Sequence, residues 1–184
     1  MPNRAPGSLG VVQDFVNTRE LDPEREALPT PEALAVWLDG RGLLRQARVS
    51  PADHRRAVEL REALRRLLLA NNGAAPDPAD LDLLDRVAVD GGLRPRFLPG
   101  GRVALEPAAA GVPGALGRLV AAVSEAMNTG TWPRLKVCAD RGCLWAFYDR
   151  SRNRSGHWCS MEVCGNRAKA RQFRKRRRDS PGSS

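Results

Sequence analysis

The chain has 184 residues, of which 42% are hydrophobic and 28% are charged, and its formal net charge is +9. This length and composition are typical of a globular domain with room for a small second module. No run of 18 apolar residues is present, so no membrane span is predicted. The first residues lack the apolar segment of a secretory signal, and we therefore expect a cytoplasmic protein.

Residues 8–130 predict a mainly α-helical domain. Apolar residues at positions 11, 12, 15 and 16 have helical spacing, and we expect this helix to end near Asn17-Thr18. Residues 19–29 are charged and contain proline, so they predict a loop. Thr30-Pro31 and Ser50-Pro51 are typical helix starts, because Thr and Ser cap the first turn and proline fits its first position.

The helix from residue 51 to about 71 has the clearest pattern, with leucines on one face and charged residues, including Arg65, directed away from it. Further helices are expected from Asp77 or Asp80 and over 113–127. Residues 93–98 and 103–105 predict a small β-hairpin around a Pro-Gly-Gly turn. We expect the helical stripes to form core rather than a binding surface.

Four cysteines lie close together near the carboxyl end. They are spaced as Cys138-x4-Cys143 and Cys159-x4-Cys164, with fifteen residues between the pairs. Two close pairs at this separation predict a tetrahedral zinc site, and four thiolates leave no open position, so the site would be structural. Two disulfides are the alternative, which a cytoplasmic chain of this length does not need. A redox-active cysteine pair would require the spacing Cys-x2-Cys, which is missing here. His157 is a further candidate ligand, but four cysteines already fill a tetrahedral site.

The order of elements around these cysteines predicts a treble-clef-like module over residues 134–178. A cysteine turn is followed by a strand over 144–149, which we expect to pair with residues 157–160. The second cysteine pair then leads into a helix, on which we expect Phe173 to pack back against the hairpin. Residues 179–184 predict a disordered tail. The fold class is thus mainly α with a small β-hairpin, a helical amino-terminal domain and a carboxyl-terminal four-cysteine zinc module.

The charge is divided unevenly along the chain. Residues 1–133 contain 16 arginines and 17 acidic residues, for a net charge of −1, whereas residues 134–184 contain 14 basic and 4 acidic residues, for +10. A GC-rich genome would explain abundant arginine but not its concentration at one end. The asymmetry indicates a polyanionic partner, most plausibly nucleic acid, although a merely solvated basic tail is an alternative.

The basic residues form a candidate nucleic-acid interface. Arg167, Arg171, Arg174 and Arg178 fall on one face of the predicted helix, and arginine suits both phosphate and guanine. The full candidate set is Arg150, Arg152, Arg154, Arg167, Lys169, Arg171, Arg174, Lys175 and Arg178.

The motif residues of the module run from Val137-Cys-Ala-Asp-Arg-Gly-Cys through Phe147-x-Asp149-x-Ser151-Arg152-Asn153 to Cys164-Gly-Asn-Arg167. This stretch resembles the CGNR zinc-finger family, which is named for residues 164–167 as they stand here. Members of that family carry an amino-terminal domain called ABATE with a Phe-Val-Asn-Thr signature, matched by Phe15 to Thr18. The resemblance implies a zinc-containing, DNA-binding regulator of transcription related to stress.

These observations favour a non-enzymatic, zinc-stabilised transcription regulator that prefers DNA to RNA. The helical domain would sense a small-molecule effector or form a homodimer, with Asn17 and Thr18 as a candidate effector pocket or as hydrogen-bonding groups at a helix end. The alternative is an RNA- or protein-binding adaptor with a ligand-sensing amino-terminal domain. An enzyme such as a nuclease would need an open metal position or a histidine-rich site, and the chain has two histidines, His54 and His157.

Overall fold

A computed structural model describes residues 4–21, 24–46 and 48–179, without the side chains of residues 175–179. The predicted tail of residues 179–184 begins at Asp179, which is helical, and residues 180–184 lie outside the described part. Six α-helices are present in the described part: α1 Leu9–Val16, α2 Pro31–Gly40, α3 Pro51–Ala70, α4 Pro78–Asp90, α5 Gly111–Asn128 and α6 Asn166–Asp179. Three antiparallel strand pairs accompany them: β1 Arg19–Leu21 with β2 Glu24–Glu26, β3 Leu93–Leu98 with β4 Arg102–Pro107, and β5 Leu135–Val137 with β6 Ala146–Tyr148.

Three helices begin with the caps that the sequence predicts. The Thr30 hydroxyl accepts a hydrogen bond from the Ala33 amide at 3.3 Å, and Ser50 and Asp53 form a reciprocal capping box. Asp77, rather than Asp80, caps α4, because its carboxylate accepts from the Ala79 amide at 2.9 Å. In each case proline occupies the first turn. These local signals fix where the helices start.

The prediction of a loop over residues 19–29 was wrong, because this segment contains the hairpin β1–β2. Its second strand is held from outside the hairpin: both carboxylate oxygens of Glu26 accept from Arg61, at 2.6 and 2.8 Å. Arg61 itself is 1% exposed and also donates to the Thr18 hydroxyl. A bidentate ion pair inside the fold thus stabilises strands whose own sequence is charged.

The zinc module shares one hydrophobic core with the helical domain. Val12, Phe15 and Val16 of α1 are fully buried, and the same cluster of apolar side chains includes Leu135 of β5 and Ala146 of β6. All six residues of β5 and β6 are buried. The hairpin is therefore part of the central packing and is not a separate appendage.

The pairing within the module differs from the prediction that residues 144–149 pair with 157–160. Strand β6 pairs with β5 instead, with Val137 opposite Ala146 and Leu135 opposite Tyr148. The first cysteine turn connects the two strands. The segment Leu135–Val137 has three residues, which is too short to show the alternation that identifies a strand in a sequence. His157 keeps one contact with this region, since its carbonyl accepts from the Ala139 amide at 2.8 Å.

Among the described residues, none of the helices combines the length and the apolar character that crossing a bilayer requires.

Candidate metal centre and nucleic-acid interface

The four cysteines that the sequence singled out meet at one point. All four Sγ atoms lie within 4.8 Å of one another, with Cys143 and Cys159 at 3.6 Å and Cys159 and Cys164 at 3.7 Å. Zinc–sulfur bonds of about 2.3 Å in a tetrahedron require sulfur–sulfur separations of about 3.8 Å. The cysteine geometry therefore fits a single tetrahedral zinc ion, and His157 is not part of this cluster.

Two turns present the cysteines. In the first turn, the amides of Cys143 and Leu144 donate to the Asp140 carbonyl at 2.8 and 3.1 Å, and the Gly142 amide donates to the Asp140 carboxylate. The left-handed conformation in this turn belongs to Leu144, with φ of 47°. In the second turn, the Ser160 hydroxyl accepts from the Val163 amide and the Ser160 carbonyl accepts from the Cys164 amide at 3.0 Å.

The Cys-Gly-Asn-Arg sequence now has a physical explanation at three positions. Cys164 is buried and supplies a sulfur. Gly165 follows it where a Cβ atom would lie 2.5 Å from the Met161 sulfur, so a side chain there would require the half-exposed Met161 to move. The Asn166 side chain donates to the Glu162 carbonyl at 2.8 Å at the start of α6, as expected for a residue that serves the turn.

The four neighbouring thiols shift one another's pKa values. Hydrogen bonds from the Cys143 and Cys159 thiols lower the pKa of Cys138. The pKa values of Cys143 and Cys159 are raised, first because their thiols are held by Cys138 and further because burial disfavours their charged forms. Burial likewise raises the pKa of Cys164. One thiolate is thus stabilised at the expense of the others, and a divalent cation stabilises all four together.

Side chains from the helical domain hold the first cysteine turn in place. Asn72 donates to the carbonyl of Val137, the residue before Cys138, at 2.9 Å. Arg65 donates to the carbonyl of Leu144, the residue after Cys143, at 3.0 Å and to the Val16 carbonyl at 2.6 Å. The prediction that Arg65 faces away from the core was wrong, because these carbonyls bind its guanidinium inside the protein, where it is 6% exposed.

The candidate effector residues lie at the contact between the two parts of the chain. The Asn17 carboxamide accepts from the Ala146 amide at 2.7 Å and donates to the Ala146 carbonyl at 2.9 Å. The Thr18 hydroxyl donates to the Phe15 carbonyl at 2.7 Å. Neither residue lines the cavity of 210 Å³ between α3, α4 and α5 or the cavity of 880 Å³ beside β4. An effector role for them stays a prediction.

A buried ion pair organises the arginine-rich turn of residues 150–156. The Lys136 ammonium lies 3.0 Å from the Asp149 carboxylate, and the two side chains are 4% and 3% exposed. Lys136 also donates to the carbonyls of Arg154 and Gly156. Burial acts to raise the pKa of Asp149, but donors from Ser151, Lys136 and the Gly156 amide outweigh it and hold the pKa below its usual value.

The candidate interface residues on this turn and on α6 are exposed as far as their side chains are described, namely Arg150, Arg152, Arg154, Arg167, Lys169, Arg171 and Arg174. The side chains of Lys175 and Arg178 lie outside the described part of the chain. Arg150 and Arg171 are among the exposed arginines that also contact the protein itself. Arg150 donates to the Arg4 carbonyl at 2.9 Å, and Arg171 lies 3.3 Å from the Asp140 carboxylate. Phe173, expected to pack on the hairpin, is 62% exposed.

Sequence reasoning missed the polar residues that join the module to the helices. The Asn71 side chain donates to the carbonyls of Trp132 and Leu135, at 3.0 and 2.8 Å. In the sequence, Asn71 and Asn72 resemble ordinary residues at the end of a helix. The pair of adjacent asparagines at the end of a long helix is the sequence feature that could have identified this contact. The Nε2 atom of His54 lies 2.9 Å from the Leu28 carbonyl.

Comparison with known proteins agrees with this architecture. The CGNR zinc finger model matches residues 134–177, and the ABATE model, described as "Putative stress-induced transcription regulator", matches residues 10–130. Neither description is that of an enzyme family. No curated protein matches the chain. The chain belongs to the ABATE family and carries a CGNR zinc finger, and it is therefore a zinc protein whose four cysteines are placed to bind one ion.

Proposed function

We propose that the CGNR zinc finger binds DNA through α6 and the turn of residues 150–156, and that the protein acts as a cytoplasmic regulator of transcription. Cys138, Cys143, Cys159 and Cys164 are the proposed zinc ligands, and the ion serves to hold the start of α6 against the β5–β6 hairpin. The role of the metal is structural, because four thiolates fill a tetrahedral site.

The separation of acidic and basic side chains in the module carries this proposal. Among residues 134–174 the acids are Asp140, Asp149 and Glu162. Asp140 and Asp149 are buried, at 5% and 4% exposure, and are paired with Arg171 and Lys136. The surface is left with exposed arginines and the carboxylate of Glu162. A rigid, positively charged surface of this kind favours a phosphate backbone.

Six of the basic residues fall into two groups by their contacts. Arg150 and Arg171 contact other parts of the protein and would position the interface. Arg152, Arg154, Lys169 and Arg174 are exposed and, within the described part of the chain, form no ion pair, so they are the proposed phosphate-binding residues. The turn and the helix together would contact the backbone at two places.

The test is the salt dependence of binding by the full-length protein. Fluorescence anisotropy with labelled duplex DNA should show affinity falling steeply between low and moderate salt. Arg174→Ala should weaken binding and reduce the slope of log K against log salt by about 0.9, the value for one phosphate contact. Arg45→Ala is the matched control, because it removes the same charge from an exposed position in the helical domain.

Two outcomes would overturn the proposal. One is DNA affinity that does not change with salt. The other is equal behaviour of Arg174→Ala and Arg45→Ala. Preference for single-stranded RNA over duplex DNA, with the same dependence on Arg174, would support the RNA-binding alternative in place of DNA binding.

A further inference from the structure

The hairpin β3–β4 has one apolar face that is largely uncovered. Its register places Pro95 opposite Leu105 and Phe97 opposite Val103, while the charged residues of both strands share the other face. Phe97 is 81% and Val103 58% exposed. Only the base of this face is covered, where α5 approaches closely: a Cβ atom on Gly117 would lie 3.4 Å from both Leu93 and Pro107.

A groove runs along β4. The cavity of 880 Å³ is lined on one side by residues 102–107 and on the other by residues of α5 between Arg118 and Thr129. Within the described part of the chain, β4 pairs with β3 alone. The outer edge of β4 therefore adjoins open space rather than another strand.

The backbone of β4 is able to accept a further strand, whereas that of β3 is not. The Ala108 amide donates to the Gly92 carbonyl at 3.1 Å, across the continuation of the β3–β4 register. Because hydrogen-bonded and non-hydrogen-bonded pairs alternate in antiparallel strands, Val103 and Leu105 direct their N–H and C=O groups away from β3. The equivalent outward position in the middle of β3 is Pro95, which has no N–H.

We propose that β4 pairs with β4 of a second copy of this chain, so that two hairpins form a four-stranded antiparallel sheet in a symmetric homodimer. The sequence of β4 is complementary to itself when the pairing is centred on Ala104. Val103 then lies opposite Leu105 of the second copy, and the two exchange both backbone hydrogen bonds. Arg102 lies opposite Glu106 of the second copy, so each end of the pairing carries opposite charges.

Neighbouring registers lack this complementarity. Centring on Val103 places Arg102 opposite Ala104 of the second copy and removes the charge pairs. Centring on Leu105 places Val103 opposite Pro107, which cannot donate. Arg102 and Glu106 are exposed, and Glu106 remains 47% exposed although it also pairs with Arg96 at 2.7 Å. Both charges are therefore accessible to a second copy.

The test measures the mass of the purified full-length protein, without DNA, by sedimentation equilibrium over a range of concentrations. The wild type should dimerise reversibly. Arg102→Glu or Glu106→Arg alone places like charges at both ends of the pairing and should raise the dissociation constant about tenfold. An equimolar mixture of the two variants restores both attractive pairs, and it should recover the wild-type affinity as a heterodimer.

Val103→Pro provides a second test that does not depend on charge. It removes an outward N–H while leaving the β3–β4 hydrogen bonds intact, and it should abolish dimers without changing the circular dichroism spectrum of the fold. A wild type that is monomeric at every concentration would overturn the proposal. So would a dimer that is unaffected by both Arg102→Glu and Val103→Pro, since it must use another surface. Because DNA is absent from the test, its result is independent of the DNA-binding proposal.

Discussion

Substitution of Asn17 by alanine should destabilise the whole protein. The carboxamide makes two hydrogen bonds to the backbone of Ala146, which is fully buried in the shared core. After truncation the Ala146 carbonyl still accepts from Gln13 at 3.0 Å, but its amide loses its partner where water does not reach. A buried donor left without a hydrogen-bond partner costs about 1–3 kcal/mol, and the loss of the second hydrogen bond costs about 1 kcal/mol. The total is about 2–4 kcal/mol.

The magnitude is large enough to measure directly. For a chain of this size, 1 kcal/mol corresponds to about 2–4 °C, so the unfolding temperature of zinc-loaded Asn17→Ala should fall by about 4–16 °C. Urea unfolding followed by circular dichroism gives the free energy independently. Asn128→Ala is the matched control, because Asn128 is exposed at the end of α5, and it should change stability by less than about 0.5 kcal/mol.

The same experiment distinguishes a structural role of Asn17 from an effector-binding role. A residue that serves only to bind an effector leaves the stability of the unliganded protein unchanged. If Asn17→Ala unfolds within about 0.5 kcal/mol of the wild type, the reasoning that this side chain joins α1 to the zinc finger is refuted.

Three further predictions concern the ion pairs and the metal. The pKa of Asp149 is lower in the folded than in the unfolded protein, so the ionised carboxylate adds stability that is complete above the unfolded pKa of about 3.9 and is lost as the pH falls towards the folded pKa. Asp149→Asn should therefore lower the free energy of unfolding by about 3–5 kcal/mol at pH 7 and by less in acid. Urea unfolding at a series of pH values measures this difference. Arg61→Leu should cost about 3–5 kcal/mol, because Glu26 loses its bidentate partner and keeps the Leu28 amide and a 3.9 Å contact with Arg19. A double-mutant cycle with Glu26→Leu should recover part of that loss, and simple additivity would contradict this. Chelation of zinc under reducing conditions should expose the amides of residues 157–172 to hydrogen exchange before those of 135–148. Simultaneous exposure would contradict the claim that the helical domain holds the first cysteine turn in place.

The features that the sequence predicted are those set by neighbouring residues. The starts of α2, α3 and α4 followed from capping side chains and proline within one turn. The zinc site followed from cysteine spacing, because few arrangements other than a metal centre need two such pairs in a reduced protein. Both sequence patterns depend on residues that are close together in the chain, so contacts with distant residues do not change what they predict.

The features that were missed depend on partners distant in the chain. In the helical pattern of α3, Arg65 falls among charged residues that are expected to be exposed. Its guanidinium nevertheless donates to the carbonyls of Val16 and Leu144, which are 49 and 79 residues away in the chain. The strand β2 has a charged sequence that no strand propensity favours, and it forms beside a bidentate contact with Arg61. Hydrophobic periodicity cannot assign such residues, because a charge turned inward and a charge turned outward look alike in the sequence.

The two cysteine turns are held in different ways, and this difference links the metal to the helical domain. Asn72, just beyond the end of α3, and Arg65 of α3 bind the backbone next to Cys138 and next to Cys143, so the helical domain positions the first pair in addition to its own turn. The second turn is organised by Ser160, within the module. Zinc therefore joins a cysteine pair already fixed by the core to a pair that carries α6. The metal completes this connection together with the Arg171–Asp140 ion pair and the hydrogen bond from the Ala139 amide to the His157 carbonyl.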